Sequence, residues 1–170
     1  MNFRIIPLEK KYEDQARDLI ISGFREFMVS HDFTERYIKK ALHDDLEHLY
    51  NHFAKYLFLV AITPSPENCV IACGGIECNK WGAEHRRLSV RKDWRSHGLG
   101  KCIFELLHAF YLEKLKPQGC RYEFSRTTSN LVAAVRFHTH MGAKLVKTKK
   151  IWDDPEIFLF DFDYTDYVSH

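Results

Sequence analysis

The sequence lacks any apolar stretch long enough to cross a membrane, and its first residues do not include the apolar region of a signal peptide. It also lacks an excess of charge of one sign, with 25 Lys and Arg against 23 Asp and Glu and no dense basic run. Binding to nucleic acid would need a clustered basic surface. We therefore expect a cytoplasmic protein with no nucleic-acid partner and no membrane partner.

Cysteine is scarce and odd in number, with five residues at Cys69, Cys73, Cys78, Cys102 and Cys120. The first three have spacings that loosely resemble a metal site, but Cys69 and Cys73 lie in an apolar run that alternates like a strand. No histidine pair follows at zinc-finger spacing. A free cysteine in such a run packs as a small hydrophobe. The sequence therefore predicts no metal, no thiol nucleophile at Cys73 or Cys102, and a reducing compartment.

Aromatic side chains are plentiful, with 13 Phe and 8 Tyr, and this excludes a disordered chain. We expect one domain over residues 1–170. The apolar spacing predicts helices at 11–28, 35–53 (with Thr34 as N-cap), 99–115 and 130–141. It predicts strands at 3–7, 56–62, 69–77, 84–90, 120–126, 144–151 and 156–163, the last two joined by a turn at 152–155. This order predicts an α/β domain, in which a mixed, mostly antiparallel sheet of about seven strands is flanked by four helices.

The strand 84–90, the turn 91–98 and the following helix form one unit that is typical of a phosphate site. Gly98 and Gly100 let the backbone approach a ligand closely. The first turn of a helix leaves N–H groups unpaired and carries a partial positive charge, which suits a pyrophosphate. Four cations surround this point: Arg91, Lys92, Arg95 and Lys101. The unit therefore predicts a pyrophosphate cradle.

Two other phosphate motifs do not fit the same residues. A P-loop requires glycine where Arg95 stands and a hydroxyl side chain where Cys102 stands. A dinucleotide fingerprint requires Gly or Ala at the position of Ile103. Both alternatives are excluded.

The segment Arg95-x-x-Gly98-x-Gly100 resembles the Arg/Gln-x-x-Gly-x-Gly/Ala signature of the GNAT superfamily of N-acetyltransferases. Residues 83–90 resemble the fourth strand of that family, and residues 130–143 resemble its Asn…Ala…Phe-Tyr…Leu-Gly-Phe block. The element order fits from residue 3 to residue 164. The resemblance implies a GNAT-like fold, acetyl-CoA as co-substrate, no metal, and direct transfer of the acetyl group to a primary amine in a ternary complex. The acceptor would be a small molecule or a peptide, and homodimers are common in the family.

The resemblance also implies which residues contact the coenzyme. The implied contacts are Leu88, Ser89 and Val90 on the strand beside the pantetheine arm, Arg95, Ser96, His97, Gly98, Leu99, Gly100 and Lys101 on the pyrophosphate turn, and Asn130 and Phe137 near the last helix. Two departures from the family pattern stand out. Asn130 lies one residue farther from Gly142 than usual, and Ala143 replaces the usual Phe.

Catalytic roles follow from the same resemblance. His138 stands where many members have the Tyr that protonates the departing thiolate, and an ordinary pKa of about 6.5 would suit that role. Glu84 and His85 are candidate bases, and strand alternation allows only one of them to face the site. Glu77 is a third candidate, and a water chain is an alternative to any single base. Backbone N–H groups at a strand break after Leu88 would polarise the thioester carbonyl.

Two other functions compete with the N-acetyltransferase. The first is a coenzyme-A-binding regulatory module without catalytic activity, which the same cradle would serve. The second is nucleic-acid binding through the cations between residues 86 and 95, which is weaker because no aromatic platform alternates with them. The acceptor itself is not specified by the sequence.

Overall fold

The structure is a computed structural model that describes residues 2–151 and 156–169. The predicted turn at 152–155 lies outside the described residues. The described strands are β1 Arg4–Pro7, β2 Leu57–Ile62, β3 Val70–Asn79, β4 Gly82–Val90, β5 Glu123–Thr128, β6 Lys144–Lys150 and β7 Phe158–Asp163. The described α-helices are α1 Glu13–Phe27, α2 His31–Asp44, α3 Leu49–His52, α4 Leu99–Phe110, which continues into a π-helical segment Tyr111–Leu115, and α5 Val132–His140.

The strands form one seven-stranded sheet in the order β1-β2-β3-β4-β5-β7-β6. All neighbouring strands are antiparallel except β4 and β5, which are parallel because α4 connects them as a crossover. The predicted α/β domain with a mixed, mostly antiparallel sheet is therefore confirmed.

The helices cover both faces of the sheet. Apolar residues of α1 and α2 pack with Val60 on one face, whereas apolar residues of α4 pack with its neighbour Leu59 on the other face. This division follows from the alternation of side chains along a strand. The rings of Phe104 on α4 and Phe137 on α5 lie 6.2 Å apart, so α5 shares the α4 side. No helix in the described chain is long and apolar enough to span a membrane.

The predicted second helix is divided in the structure. It begins earlier than expected, because Ser30 is the N-cap and its Oγ accepts a hydrogen bond from the Phe33 N–H at 3.4 Å. Thr34, the predicted cap, lies inside the helix. The helix ends before Asp45, whose buried carboxylate pairs with Arg87 at 2.6 Å, and a separate short helix follows. The described chain therefore has five α-helices instead of four.

One pair of cysteines is joined by a disulfide, which the sequence did not predict. Cys78 at the end of β3 is bonded to Cys120 just before β5, with 6.3 Å between their Cα atoms. Cys69, Cys73 and Cys102 are free. The partners are 42 positions apart in the sequence, and only the neighbouring positions of β3, β4 and β5 bring them together.

Candidate active site

The site begins where β4 and β5 separate. The two strands pair over three positions only, from Ala83 opposite Glu123 to His85 opposite Ser125. Beyond this point β4 continues to Val90 along β3, while β5 follows β7. A cleft of about 530 Å³ opens between them and is also lined by α1, α4 and α5.

A β-bulge bends β4 beside the cleft. Ser89 pairs with Cys73 and Arg86 pairs with Gly75, so two residues of β4 lie opposite one residue of β3. Arg87 in the bulge has a φ of 61°, which is rare for a residue with a side chain. Bulges of this kind increase the local twist and re-aim the strand. We expected a strand break after Leu88. The bulge is at Arg87 and Leu88 themselves, one position earlier.

The turn before α4 has the conformation expected of an anion site. Ser96 and Gly98 have φ values of 64° and 77°, and α4 begins at Leu99. A Cβ atom built on Gly98 would have no other heavy atom within 4 Å, so open space lies in front of the turn. The first N–H groups of the helix have no intrahelical partner, and they give this end a partial positive charge. The turn can therefore accept a phosphate group.

The cations near this turn are largely paired already. The Arg95 guanidinium contacts both carboxylate oxygens of Glu26 at 2.7 Å, and its Nε donates to the Val90 carbonyl at 2.9 Å. Arg91 pairs with Asp93 at 2.7 Å. Fewer unpaired positive charges therefore surround the turn than the four cations of the sequence suggest.

Most of the predicted coenzyme contacts come together on the cleft wall. The lining includes Leu88, Ser89, Val90, Arg95, Ser96, Gly98, Leu99, Gly100, Lys101 and Phe137. Two predicted residues are not among the lining residues. His97 is exposed beside the turn, and the Asn130 side-chain amide is buried without a hydrogen-bond partner among the described residues.

His138 lines the cleft, but its surroundings favour the uncharged ring. Burial lowers its pKa to about 3, and the nearby His85 adds to this effect. The ring is therefore neutral at neutral pH. Tyr164 lies 2.6 Å from its Nδ1 and Ser125 Oγ lies 3.0 Å from its Nε2, while the Ser125 hydroxyl donates to the His85 carbonyl at 3.2 Å. A neutral ring that accepts from Tyr164 and donates to Ser125 satisfies all of these contacts.

Of the two neighbouring candidate bases on β4, one side chain faces the cleft and the other does not. His85 lines the cleft and stacks on Phe104 of α4, with 4.3 Å between the ring centroids. Glu84 lies outside the cleft lining, where Asn79 donates to its carboxylate at 2.7 Å and burial raises its pKa. Glu77 also lies outside the lining and contacts His52 and Arg86. Of the three candidates, only His85 lines the cleft.

The sequence analysis missed a buried pair behind the cleft wall: Glu123, which contacts the lining residue His85, and His108, which contacts Glu123. The Glu123 side chain is fully buried, and its carboxylate lies 2.6 Å from His85 Nε2 and 2.8 Å from His108 Nδ1. Two signals were available in the sequence. Glu123 is a charged residue inside the apolar strand 120–126, and His108 lies on the apolar face of the preceding helix, 99–115. A buried carboxylate requires partners, so this pattern pointed to a polar contact in the core.

Comparison with solved structures agrees with this architecture. The PaiA N-acetyltransferase of Thermoplasma acidophilum, in complex with coenzyme A, has a TM-score of 0.70 at 18% identity, over 96% of this chain and 100% of that chain. An acetyltransferase of the GNAT family from Staphylococcus aureus Mu50 has a TM-score of 0.68 at 17% identity, over 95% and 99% of the two chains. The chain has the GNAT fold. The NatC complex bound to Gag peptide and coenzyme A also matches, with a TM-score of 0.64 at 17% identity, over 96% of this chain and 98% of that chain.

Sequence comparisons do not extend this result. No protein-family model matches the chain, and no curated protein matches it significantly. The identities to the solved structures are low, so the likeness establishes the GNAT fold and leaves the activity to be argued from the site.

Residues 85–90 of β4 form one wall of the cleft. From His85 to Val90 the strand β4 contains six residues, which span ~17 Å. Residues beyond His85 pair with β3 and no longer with β5, and the carbonyl of Val90 is bonded to Arg95. Among the described residues, no group of three or more His, Cys, Asp or Glu side chains is arranged to hold a metal ion.

Proposed function

We propose that the chain is a GNAT-superfamily N-acetyltransferase that transfers the acetyl group of acetyl-CoA to a primary amine by direct attack in a ternary complex. One observation carries the proposal: a continuous cleft runs from the glycine turn at the start of α4 to the point where β4 and β5 separate. Two of the structural relatives hold coenzyme A, and one of these also holds a peptide.

In this proposal the coenzyme lies along β4. The pyrophosphate binds the amides of the turn at Ser96–Gly98 and of the first turn of α4, where the helix end favours an anion. The pantetheine arm lies along the backbone edge of β4 at Leu88–Val90, which does not pair with β5. Phe137 packs against Gly100 at the cleft wall, since a Cβ built on Gly100 would lie 3.5 Å from the Phe137 ring. Asn130 contributes indirectly at most, because it does not line the cleft.

The chemical step needs an uncharged amine, a polarised carbonyl and a proton for the leaving thiolate. The bulge at Arg87 and Leu88 turns the backbone beside the cleft, and its N–H groups are the proposed donors to the carbonyl oxygen. His138 acts as a neutral ring that holds Ser125 at the cleft wall through the 3.0 Å contact. The amine enters past α1 and α2, where the cleft is lined by Phe24, Phe27 and Tyr37.

Calorimetric titration of acetyl-CoA and CoA into the wild type and a Gly98→Glu variant tests the coenzyme site. We expect binding to the wild type and its loss in the variant, because a carboxylate would occupy the space of the pyrophosphate. Gly119→Glu is the matched control, since Gly119 also has a positive φ, of 98°, and open space, but lies away from the cleft. A wild type that does not bind, or two variants that bind alike, would contradict the proposal.

A screen of primary amines for release of free thiol from acetyl-CoA distinguishes the enzyme from the inactive coenzyme-A-binding module. Transfer predicts thiol release that depends on the amine. Binding of acetyl-CoA without any amine-dependent release would instead support the regulatory module. The screen should include small amines and peptides with a free N-terminus, because the cleft sets no preference between them.

A further inference from the structure

The face of the sheet that carries α1 and α2 extends beyond these helices. Among the described residues, the core beneath α1 and α2 takes its strand residues from β1, β2 and β3. Glu84 of β4 points to this face, because its Oε1 lies 4.0 Å from Nε of Arg86, which binds Asp44 at the end of α2. Phe124 of β5 is paired with Glu84 and therefore points to the same face. The part of this face formed by β5, β7 and β6 lies outside that core.

A groove of about 340 Å³ lies on this outer part of the sheet, and we call it the Trp81 groove. Trp81 in the turn between β3 and β4 forms one side, Tyr122 and Phe124 form the floor, and Val146 and Lys147 of β6 form the other side. The side chains of Trp81 and Val146 are 49% and 50% exposed. Exposed apolar side chains around a groove are typical of an interaction surface.

Arg126 connects the Trp81 groove with the coenzyme cleft. Its side chain lines both spaces, and it directly follows Ser125, the last residue of β5 that pairs with β4. Asp161 holds the Arg126 guanidinium through two contacts of 2.6 and 2.7 Å. An extended chain advances ~3.3 Å per residue, so a peptide whose amine reacts where the strands separate reaches the groove within about two to four residues. A small amine is too short to reach it.

The charges around the groove favour an anionic occupant. The Trp81 ring centroid lies 4.4 Å from Lys80 Nζ and 4.7 Å from the guanidinium carbon of Arg126. Asp161 offsets the charge of Arg126. Within the described part of the chain, neither Lys80 nor Lys147 forms an ion pair. Two unpaired cations beside an exposed aromatic ring complement a carboxylate on a partly apolar chain.

We propose that the acceptor is the N-terminal segment of a peptide chain, and that an acidic side chain about two to four residues behind the reacting amine binds the Trp81 groove. The inference rests on the proposed acetyl transfer. The amine enters the cleft on the α1 and α2 face, and the following residues pass Arg126. The peptide then covers the Trp81 ring, and its carboxylate is attracted by Lys80 and Lys147.

Steady-state thiol release from acetyl-CoA tests the peptide preference. The acceptors are the best small amine from the screen and peptides of about six residues that carry Asp, Ser or Lys behind the second residue and are otherwise identical. We expect kcat/KM to be highest for the Asp peptide and roughly tenfold lower for the Lys peptide. Added salt should reduce this difference, because exposed charges are screened.

Trp81→Ala and Lys147→Glu test the groove itself. Trp81→Ala should lower the ratio of kcat/KM for the Asp peptide to that for the small amine by about tenfold, because truncation removes the aromatic surface. Lys147→Glu should lower the ratio for the Asp peptide to the Lys peptide by about two- to fivefold or more, because it reverses an exposed charge.

Tyr50→Ala and Lys116→Glu are the matched controls. Tyr50 is 41% exposed, Lys116 is also exposed, and neither lines the cleft or the groove. Both ratios should stay at their wild-type values in these variants.

Transfer to small amines without a preference for the Asp peptide, or with a preference that Trp81→Ala and Lys147→Glu leave intact, would overturn the groove and leave the acetyltransferase standing. Light scattering tests the alternative that a second copy of the chain occupies the groove. A dimer that dissociates in Trp81→Ala, with unchanged peptide ratios, would also overturn the proposal. No transfer by the wild type to any acceptor would overturn both the acetyl transfer and this inference.

Discussion

At the scale of single residues, the surroundings of two histidines set their charge in opposite directions. Burial keeps His138 neutral and lowers its pKa to about 3. His52 is partly exposed and is hydrogen-bonded to Glu77, which raises its pKa although burial opposes the change. The folded protein therefore resists protonation at His138 and favours it at His52. These preferences make the free energy of unfolding depend on pH with opposite signs.

His138→Phe should weaken the dependence of stability on acid. In the wild type, the unfolded chain binds a proton at His138 below about pH 6.5 whereas the folded chain does not until about pH 3. Stability is therefore lost as the pH falls through this window, by up to ~1.4 kcal/mol per pH unit. Urea unfolding at several pH values between about 4 and about 7 checks the smaller slope expected in the variant.

His52→Gln provides the comparison of opposite sign. The stabilisation from protonated His52 is present below the ordinary histidine pKa and is lost as the pH rises through its raised value in the folded protein. The variant should therefore lose stability in acid and little at high pH. Equal slopes in the wild type and both variants would refute the assigned directions.

At the scale of elements, the end of α1 contacts the turn before α4 through an ion pair. Glu26 in the last turn of α1 binds Arg95 through two contacts of 2.7 Å, and the guanidinium lies 4.6 Å from the centroid of the Phe27 ring. The pair places α1 beside the cleft and also supplies a negative charge near the turn at which we propose that the pyrophosphate binds. Arg95 can turn fully to a ligand only when Glu26 no longer shares it.

Glu26→Gln should strengthen the binding of acetyl-CoA. Removal of the carboxylate leaves the Arg95 charge for the pyrophosphate, and because the pair is partly exposed we expect an increase of about two- to fivefold. Calorimetric titration measures the change. Glu35→Gln is the control, because Glu35 forms a similar pair with Arg25 outside the cleft lining. Weaker binding in Glu26→Gln would show that the carboxylate serves mainly to orient Arg95.

Elements set by local sequence signals were predictable, whereas those set by distant contacts were not. The turn before α4 was predictable because Gly98 and the helical spacing after it are local signals. The end of α2 was not, because Asp45 leaves the helix to pair with Arg87, which lies 42 positions away. The contact between Glu123 and His85 was hidden for the same reason, since it depends on which strands become neighbours. Local patterns therefore predicted most elements and the glycine turn before α4, whereas side-chain partners across the sheet required the fold.

At the scale of the whole molecule, the disulfide links β3 to the residue segment before β5, across the intervening strand β4. Cys78 lies at the end of β3 and Cys120 before β5, so the bond closes the segment that contains β4 and α4. Closing a loop of this length restricts the unfolded chain much more than the folded one.

Cys120→Ser should destabilise the protein by ~4 kcal/mol on the chain-entropy estimate for a separation of 42 residues. Denaturant unfolding of the wild type and the variant without reductant measures the difference. Reductant should bring the wild type close to the variant and leave the variant unchanged. Equal stabilities without reductant would mean that the bond contributes nothing to folding.

The narrow contact between β4 and β5 has a thermodynamic consequence for the whole chain. Only three residue pairs join these strands, yet they connect two larger antiparallel parts of the sheet. A ligand in the cleft touches both parts, so it is bound more tightly when they are held together. Linkage makes this relation reciprocal: the factor by which joining the two parts strengthens ligand binding is also the factor by which bound ligand favours the joined state. A ligand that fills the cleft should therefore hold the two halves of the sheet together against local opening.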